Sequence, residues 1–230
     1  MSLTEHYQAA LNQPDMVHDE VQQQAIIKLE ALSKALVKST SRPGLDLLAR
    51  LSPLSKHHTK PVQGMYIWGG VGRGKTCLMN LFYEELAIKE KKRIHFHHFM
   101  LDIHEKLDTL SSQGKKQKDP LQQVARELAK NYRLLCIDEF IVTNITDAMI
   151  LSELLQALFK LKVCLVATSN RIPDDLYLNG LQRERFLPAI DLIKQHTDVF
   201  HLDGGIDHRT ALLELSDIYY FPVTEDTDSK

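Results

Sequence analysis

The stretch at residues 65–76, MYIWGGVGRGKT, constrains the fold more than any other. From Gly69 to Thr76 it fits G-x-x-x-x-G-K-[ST] at every required position. An apolar strand-like run precedes the loop, and Cys77, Leu78, Leu81, Phe82 and Leu86 follow at helical spacing. Strand, glycine loop and helix in that order make a phosphate cradle. Gly69, Gly70, Gly72 and Gly74 let the backbone bend, so that N–H groups from Val71, Arg73 and on to Cys77 turn towards an anion at the helix start. In this pattern Lys75 reaches the β- and γ-phosphates, and the Thr76 hydroxyl takes one position on Mg²⁺.

A chain of 230 residues, 43% of them hydrophobic, supports one principal core. The net charge of −2 gives no global argument for a nucleic-acid or anionic-membrane partner, and no nucleic acid is expected. The three cysteines, Cys77, Cys136 and Cys164, are far apart and contain no C-x-x-C pair, so they read as small buried hydrophobes in a reducing compartment. Without a basic-then-apolar leader in MSLTEHYQAALNQPD, or a run of about 18 apolar residues, a cytoplasmic location is expected.

Along the chain, Val21, Ala25, Leu29, Leu32 and Leu36 form the stripe of one N-terminal helix, which needs a surface to cover it. Residues 39–62 carry Ser, Pro and Gly with Arg42, Arg50, Lys56, His57, His58 and Lys60, and read as a connector with a short helical piece from Leu45 to Leu51. Ile94 to Phe99 reads as a strand placing His95 and His97 on one face. With His98 and His104 nearby a zinc site is conceivable, but no closed ligand set is evident. Residues 111–119 read as a polar loop, and Asp119-Pro120 as a helix start.

Leu134 to Asp138 followed by Glu139 is an apolar run ending in two carboxylates, the pattern of a buried parallel strand delivering acid to the ligand-binding edge of an open sheet. Asp138 is expected in the Mg²⁺ shell, and Glu139 is expected to orient and deprotonate the attacking water. Thr146 or Asp147 caps the next helix, which runs through Lys160. Asn170, after the strand-like Val163 to Ala167, is the candidate to hold the water or report loss of the γ-phosphate. Arg183 and Arg185 follow Gly180 and suit phosphoryl-transfer chemistry; at the far rim of the sheet they would serve a neighbouring subunit.

Five strand-like runs with these groups at their ends resemble a AAA+ P-loop NTPase module. More specifically, the runs MYIWGGVGRGKTCLMNLFYEEL, HFHHFM, LLCIDEF with ITDAM, VATSN and DDLYLNGLQRERFLPAI are similar to the ZapE cell-division ATPases of bacteria and their mitochondrial relatives. The resemblance covers most of residues 5–210. It implies a three-layer α/β fold with a five-stranded, mainly parallel sheet of order 5-1-4-3-2, ATP and Mg²⁺ as ligands, and hydrolysis by a homo-oligomer. It also implies association with the division-ring protein FtsZ in bacteria and a protein quality-control role at the inner membrane in mitochondria, with a cytoplasmic place that is peripheral at the inner membrane or the division site. The expected organisation is an N-terminal helix and connector over 1–62, the nucleotide domain over 63–210 and a short extension over 211–230, with the helical lid missing or truncated.

Two other readings stand beside the ATPase. One is a nucleotide-switched adaptor that binds ATP with little hydrolysis; the other is a helicase-loader-like module. Intact Asp138-Glu139 argues against the first and the missing or truncated lid argues for it, while the second rests only on the shared core and local basic residues.

Overall fold

The computed structural model describes residues 3–11, 19–40, 61–112 and 119–203. The basic connector around His57 and His58, the middle of the polar loop and the expected C-terminal extension lie outside the described residues.

The N-terminal part holds two helices rather than one: α1 (Leu3–Leu11) precedes α2 (Glu20–Thr40). The core then runs β1 (Gly64–Trp68), α3 (Lys75–Glu85), β2 (Lys91–His95), α4 (Phe96–Ser112), α5 (Pro120–Asn131), β3 (Leu134–Asp138), α6 (Ile145–Lys160), β4 (Cys164–Ser169), α7 (Leu187–His196) and β5 (Thr197–His201). The strands form one sheet of order β2-β3-β4-β1-β5 with parallel pairing throughout, which is the expected 5-1-4-3-2 order read from the other edge.

Strand side chains alternate between two layers, because successive Cβ atoms point to opposite faces. Tyr66, Leu135, Ile137, Leu165 and Ala167 pack with α4 to α7. Met65, Ile67, Leu134, Cys136, Cys164 and Val166 pack with α1, α2 and α3. Leu29 of α2 is fully buried there beside Phe82 and Met79, so the α2 stripe is covered by the nucleotide-domain side of the sheet. Burying a Leu side chain fully is worth about 1.5–3 kcal/mol, and several such residues fix α2 on the sheet.

This connectivity opens a crevice. From β1 the chain leaves through α3 to the β2 edge, whereas from β4 it leaves for the opposite edge at β5. The C-terminal ends of β1 and β4 are neighbours, with Trp68 paired to Ser169, and their onward chains diverge there.

Three local expectations are corrected. The strand expected from Ile94 to Phe99 ends at His95, and helix α4 starts at Phe96. Phe96, Phe99, Met100 and Ile103, spaced as on one helical face, are all buried, and that burial outweighs any alternation of the histidines. Helix α6 is capped by Asn144, whose side chain accepts from the Asp147 N–H at 2.8 Å; Thr146 and Asp147 lie inside the first turn. Cys77 is exposed, while Cys136 and Cys164 are buried as expected. The Asp119-Pro120 start of α5 is present, with Asp119 accepting from the Gln122 N–H.

Candidate functional site

The loop after β1 is held open by backbone contacts that admit no side chain. A Cβ at Gly69 would stand 2.2 Å from the Leu202 carbonyl oxygen at the end of β5. Gly74 caps α3 with φ 83°, a left-handed conformation that favours glycine. From there α3 rises with its first N–H groups facing the crevice, so the loop and helix start together present donors to an anion. Lys75 Nζ donates to the carbonyls of Gly69 at 2.7 Å and Gly70 at 2.5 Å, which holds the ammonium over the loop.

A pocket of about 320 Å³ lies at this point. Val71, Gly72, Arg73, Gly74, Lys75, Thr76 and Cys77 line one side, and Glu139, Thr168, Ser169 and Asn170 the other. The structure therefore brings the loop, the acidic strand end and the Asn170 segment together. Gly69 and Gly70 form the base of the loop. Asp138 stands behind the wall, 4% exposed.

Two hydrogen-bond systems set the acidic end. Asp138 Oδ2 accepts from Arg93 Nε at 2.6 Å, and its Oδ1 accepts from Thr168 Oγ1 at 3.2 Å. Arg93 also donates to Asn80 Oδ1 on α3. The Glu139 N–H donates to the same Thr168 hydroxyl oxygen at 3.2 Å. Glu139 sits at φ 53°, a conformation that costs a non-glycine residue of order 1 kcal/mol and turns its carboxylate outwards. That carboxylate is 3.9 Å from His95 Nδ1. Beyond it, Phe140 N–H donates to the Thr168 carbonyl at 2.7 Å and Ser169 Oγ donates to the Phe140 carbonyl at 2.8 Å, which locks β3 to β4 below the pocket.

Thr76 lines the pocket, whereas the Asp138 carboxylate is buried beside it, with Oδ2 held by Arg93 and Oδ1 by Thr168; a hydroxyl and a carboxylate are the oxygen groups a hard divalent cation takes. The histidines do not converge on such a set. His95 ends β2, His97 and His98 lie on α4, and His104 Nε2 pairs with Asp147 Oδ1 at 2.7 Å. Among the described residues no group of three or more His, Cys, Asp or Glu is placed to hold a metal.

Arg183 and Arg185 are outside the pocket, on a short 3-10 turn between β4 and α7. Arg183 Nη2 donates to the Asp174 carbonyl at 2.5 Å, and Arg185 Nη1 to Gln182 Oε1 at 3.1 Å. The segment just before that turn exposes Leu181 at 71% and Leu178 at 48%. Sequence reasoning missed Arg93, Thr168 and Ser169, whose partners lie far along the chain. Only Thr168 and Ser169 carried a signal, as polar residues at a strand end beside Asn170.

No helix among the described residues is long and apolar enough to cross a membrane. The AFG1-like ATPase family matches residues 1–230. The cell division protein ZapE of Escherichia coli K12 is 46% identical over 97% of this chain and 60% of its own length, so the chain spans less than two thirds of that curated relative. Lactation elevated protein 1 homolog B of Danio rerio is also 46% identical, over 74% of this chain and 35% of that protein. Among solved structures, DnaI superposes with a TM-score of 0.53 at 16% identity, covering 81% of this chain and 87% of that one, a likeness of fold alone. With the phosphate loop, the parallel sheet and the whole-length match agreeing, the chain belongs to the AFG1-like ATPase family.

Proposed function

We propose that the chain hydrolyses ATP with Mg²⁺ as part of a homo-oligomer and uses the cycle to remodel a protein partner. The observation that carries this is the pocket shared by residues 71–77 with Glu139 and Asn170. An ATP β,γ-phosphate pair sits on the loop N–H groups, with Lys75 leaving the Gly69 and Gly70 carbonyls for phosphate oxygens. Thr76 and Asp138 would hold Mg²⁺, which would supply positive charge against the phosphate oxygens. Glu139, exposed at the pocket wall, accepts a proton from the attacking water, and Asn170 holds that water in line. Arg183 and Arg185, on a turn just after the exposed Leu178 and Leu181, reach the γ-phosphate of a neighbouring subunit. The ZapE relative is a cell division protein, and the family resemblance makes FtsZ the first partner to test. By the same resemblance the protein works in the cytoplasm, peripherally at the inner membrane or at the division site. The organisation into an N-terminal helical part, a nucleotide domain and a C-terminal extension belongs to this reading too.

The test is steady-state ATPase activity over a wide range of protein concentration, with Lys75→Ala as control. A specific rate that climbs with concentration and vanishes in the control supports hydrolysis at a subunit interface. A rate equal to the control with ATP binding retained defeats it in favour of a nucleotide-switched adaptor. Glu139→Gln separates the steps: it is expected to keep ATP binding and lose turnover, and unchanged turnover removes Glu139 from the chemistry.

A further inference from the structure

Helix α2 touches the phosphate loop directly. Gln22, 6% exposed in the first turn of α2, donates from Nε2 to the Arg73 carbonyl at 3.3 Å. Its Oε1 accepts from the Tyr7 hydroxyl of α1, also at 3.3 Å. Asp19 fixes the turn that presents it, accepting from the N–H groups of Val21 at 2.8 Å and Gln22 at 3.3 Å. A Cβ at Gly74 would stand 2.7 Å from Gln22 Nε2, so the amide packs against bare loop backbone.

The contact has a directional consequence. The Arg73–Gly74 peptide is trans, as are all the described peptide bonds, so its C=O and N–H point opposite ways. With the carbonyl held by Gln22, the Gly74 N–H is turned away from α2, towards the side on which Gly74 lines the pocket. That N–H precedes α3 and has no partner within the helix. A donor on the carbonyl also polarises the N–H of the same peptide, strengthening it as a donor.

We infer that Gln22 is a positioning residue that aims the Gly74 N–H at the phosphates of a nucleoside di- or triphosphate, and that it couples the α1–α2 pair to occupancy of the loop. The inference rests on the loop being a nucleotide-phosphate site. Coupling is reciprocal: if docked α1 and α2 tighten nucleotide binding, nucleotide tightens their docking by the same factor.

A fluorescent ADP analogue titrated into wild type, Gln22→Met, Gln22→Glu and Lys75→Ala tests this, with melting midpoints and amide exchange of α1 and α2 measured on each. Gln22→Met keeps length and volume and is expected to bind about tenfold more weakly, the scale of one lost hydrogen bond, and more weakly than its lowered melting midpoint, set by the unpaired Tyr7 hydroxyl and Arg73 carbonyl, accounts for. Nucleotide-induced protection of α1 and the first turn of α2 is expected in wild type and absent in this variant. Gln22→Glu keeps the acceptor for Tyr7 but sets a carboxylate against the Arg73 carbonyl. Its affinity, relative to wild type at each pH, is expected to recover as pH falls below about 5 and the neutral acid regains an O–H donor.

Wild-type affinity and protection in Gln22→Met overturn the inference. So does equal weakening of both variants in step with their melting midpoints and without recovery at low pH, which marks a structural role only. If Gln22→Met does not fold, the pH series on Gln22→Glu decides. Failure of wild type itself to bind overturns the nucleotide reading and this inference with it, whereas wild-type binding lost in Lys75→Ala keeps the first and isolates the second.

Discussion

Arg93 Nε donates to Asp138 Oδ2 at 2.6 Å, joining the edge strand β2 to the carboxylate at the end of β3. Asp138 is buried and Arg93 is largely so, which makes the pair costly to break from one side only. Arg93→Ala is expected to lose about 3 kcal/mol of stability, because it strands a buried carboxylate. The double variant with Asp138→Asn should recover part of that loss. Urea unfolding measures both, and a single variant as stable as wild type would show that the contact contributes nothing.

Thr168 Oγ1 stands 3.2 Å from Asp138 Oδ1 and 3.2 Å from the Glu139 nitrogen. One hydroxyl thereby sets both acidic residues, donating to one and accepting from the backbone of the other. Thr168→Val keeps the shape and removes both bonds. It is expected to cost about 1–3 kcal/mol for the groups left unpaired and to lower kcat about tenfold or more, as Glu139 leaves its left-handed conformation. Nucleotide affinity should change little. A kcat equal to wild type would separate the hydroxyl from the chemistry.

What was legible beforehand followed periodicity and local chemistry. The loop from Gly69 to Thr76, four of the five strands and the buried face of α6 all declare themselves within a few residues, whereas β2 opens on Lys91, Lys92 and Arg93, which read as a charged break. The β2–α4 junction was also written in the chain, since Phe96, Phe99, Met100 and Ile103 keep helical spacing, but the histidines alternate over the same stretch and masked it. Helix α1 is short, anchored by Leu3 and Tyr7, and is stabilised by packing on α2 more than by its own propensity. Arg93 and Gln22 carry no local signal. Each acts across many residues of chain, and only the folded sheet brings it to its partner.

Cysteine chemistry offers a probe of the pocket that does not depend on turnover. Burial pushes the Cys164 thiol up to about 12 and the Cys136 thiol higher still, so neither forms appreciable thiolate at neutral pH. Cys77 is exposed in the pocket lining, although desolvation raises its thiol as well. Alkylation of the native protein is expected slowly at Cys77 and not at the other two, and ADP should protect it. Mass spectrometry of modified peptides reads this directly; equal labelling with and without ADP would place the nucleotide elsewhere.

Acid should loosen α1 before the sheet. Glu30 accepts from Lys34 Nζ at 2.6 Å, from the Thr4 N–H at 3.1 Å and from the Thr4 hydroxyl, so one carboxylate ties α1 to α2. The Lys34 hydrogen bond and then the Thr4 hydroxyl hold the carboxyl down at about 2, against 4.5 for the free group. A lowered carboxyl contributes stability that is fully present above the unfolded value and is lost as pH falls from 4.5 towards 2. Lys34 is well exposed, so the contribution is on the order of 1 kcal/mol or less. Amide exchange in α1, corrected for intrinsic rates, is therefore expected to be faster at about pH 3 than at about pH 6, with α6 still protected. Glu30→Gln should loosen α1 at both and shrink the difference, leaving only what the His6–Glu85 contact at 3.1 Å contributes. If wild-type α1 is equally protected at the two, the carboxylate is not what holds it to α2.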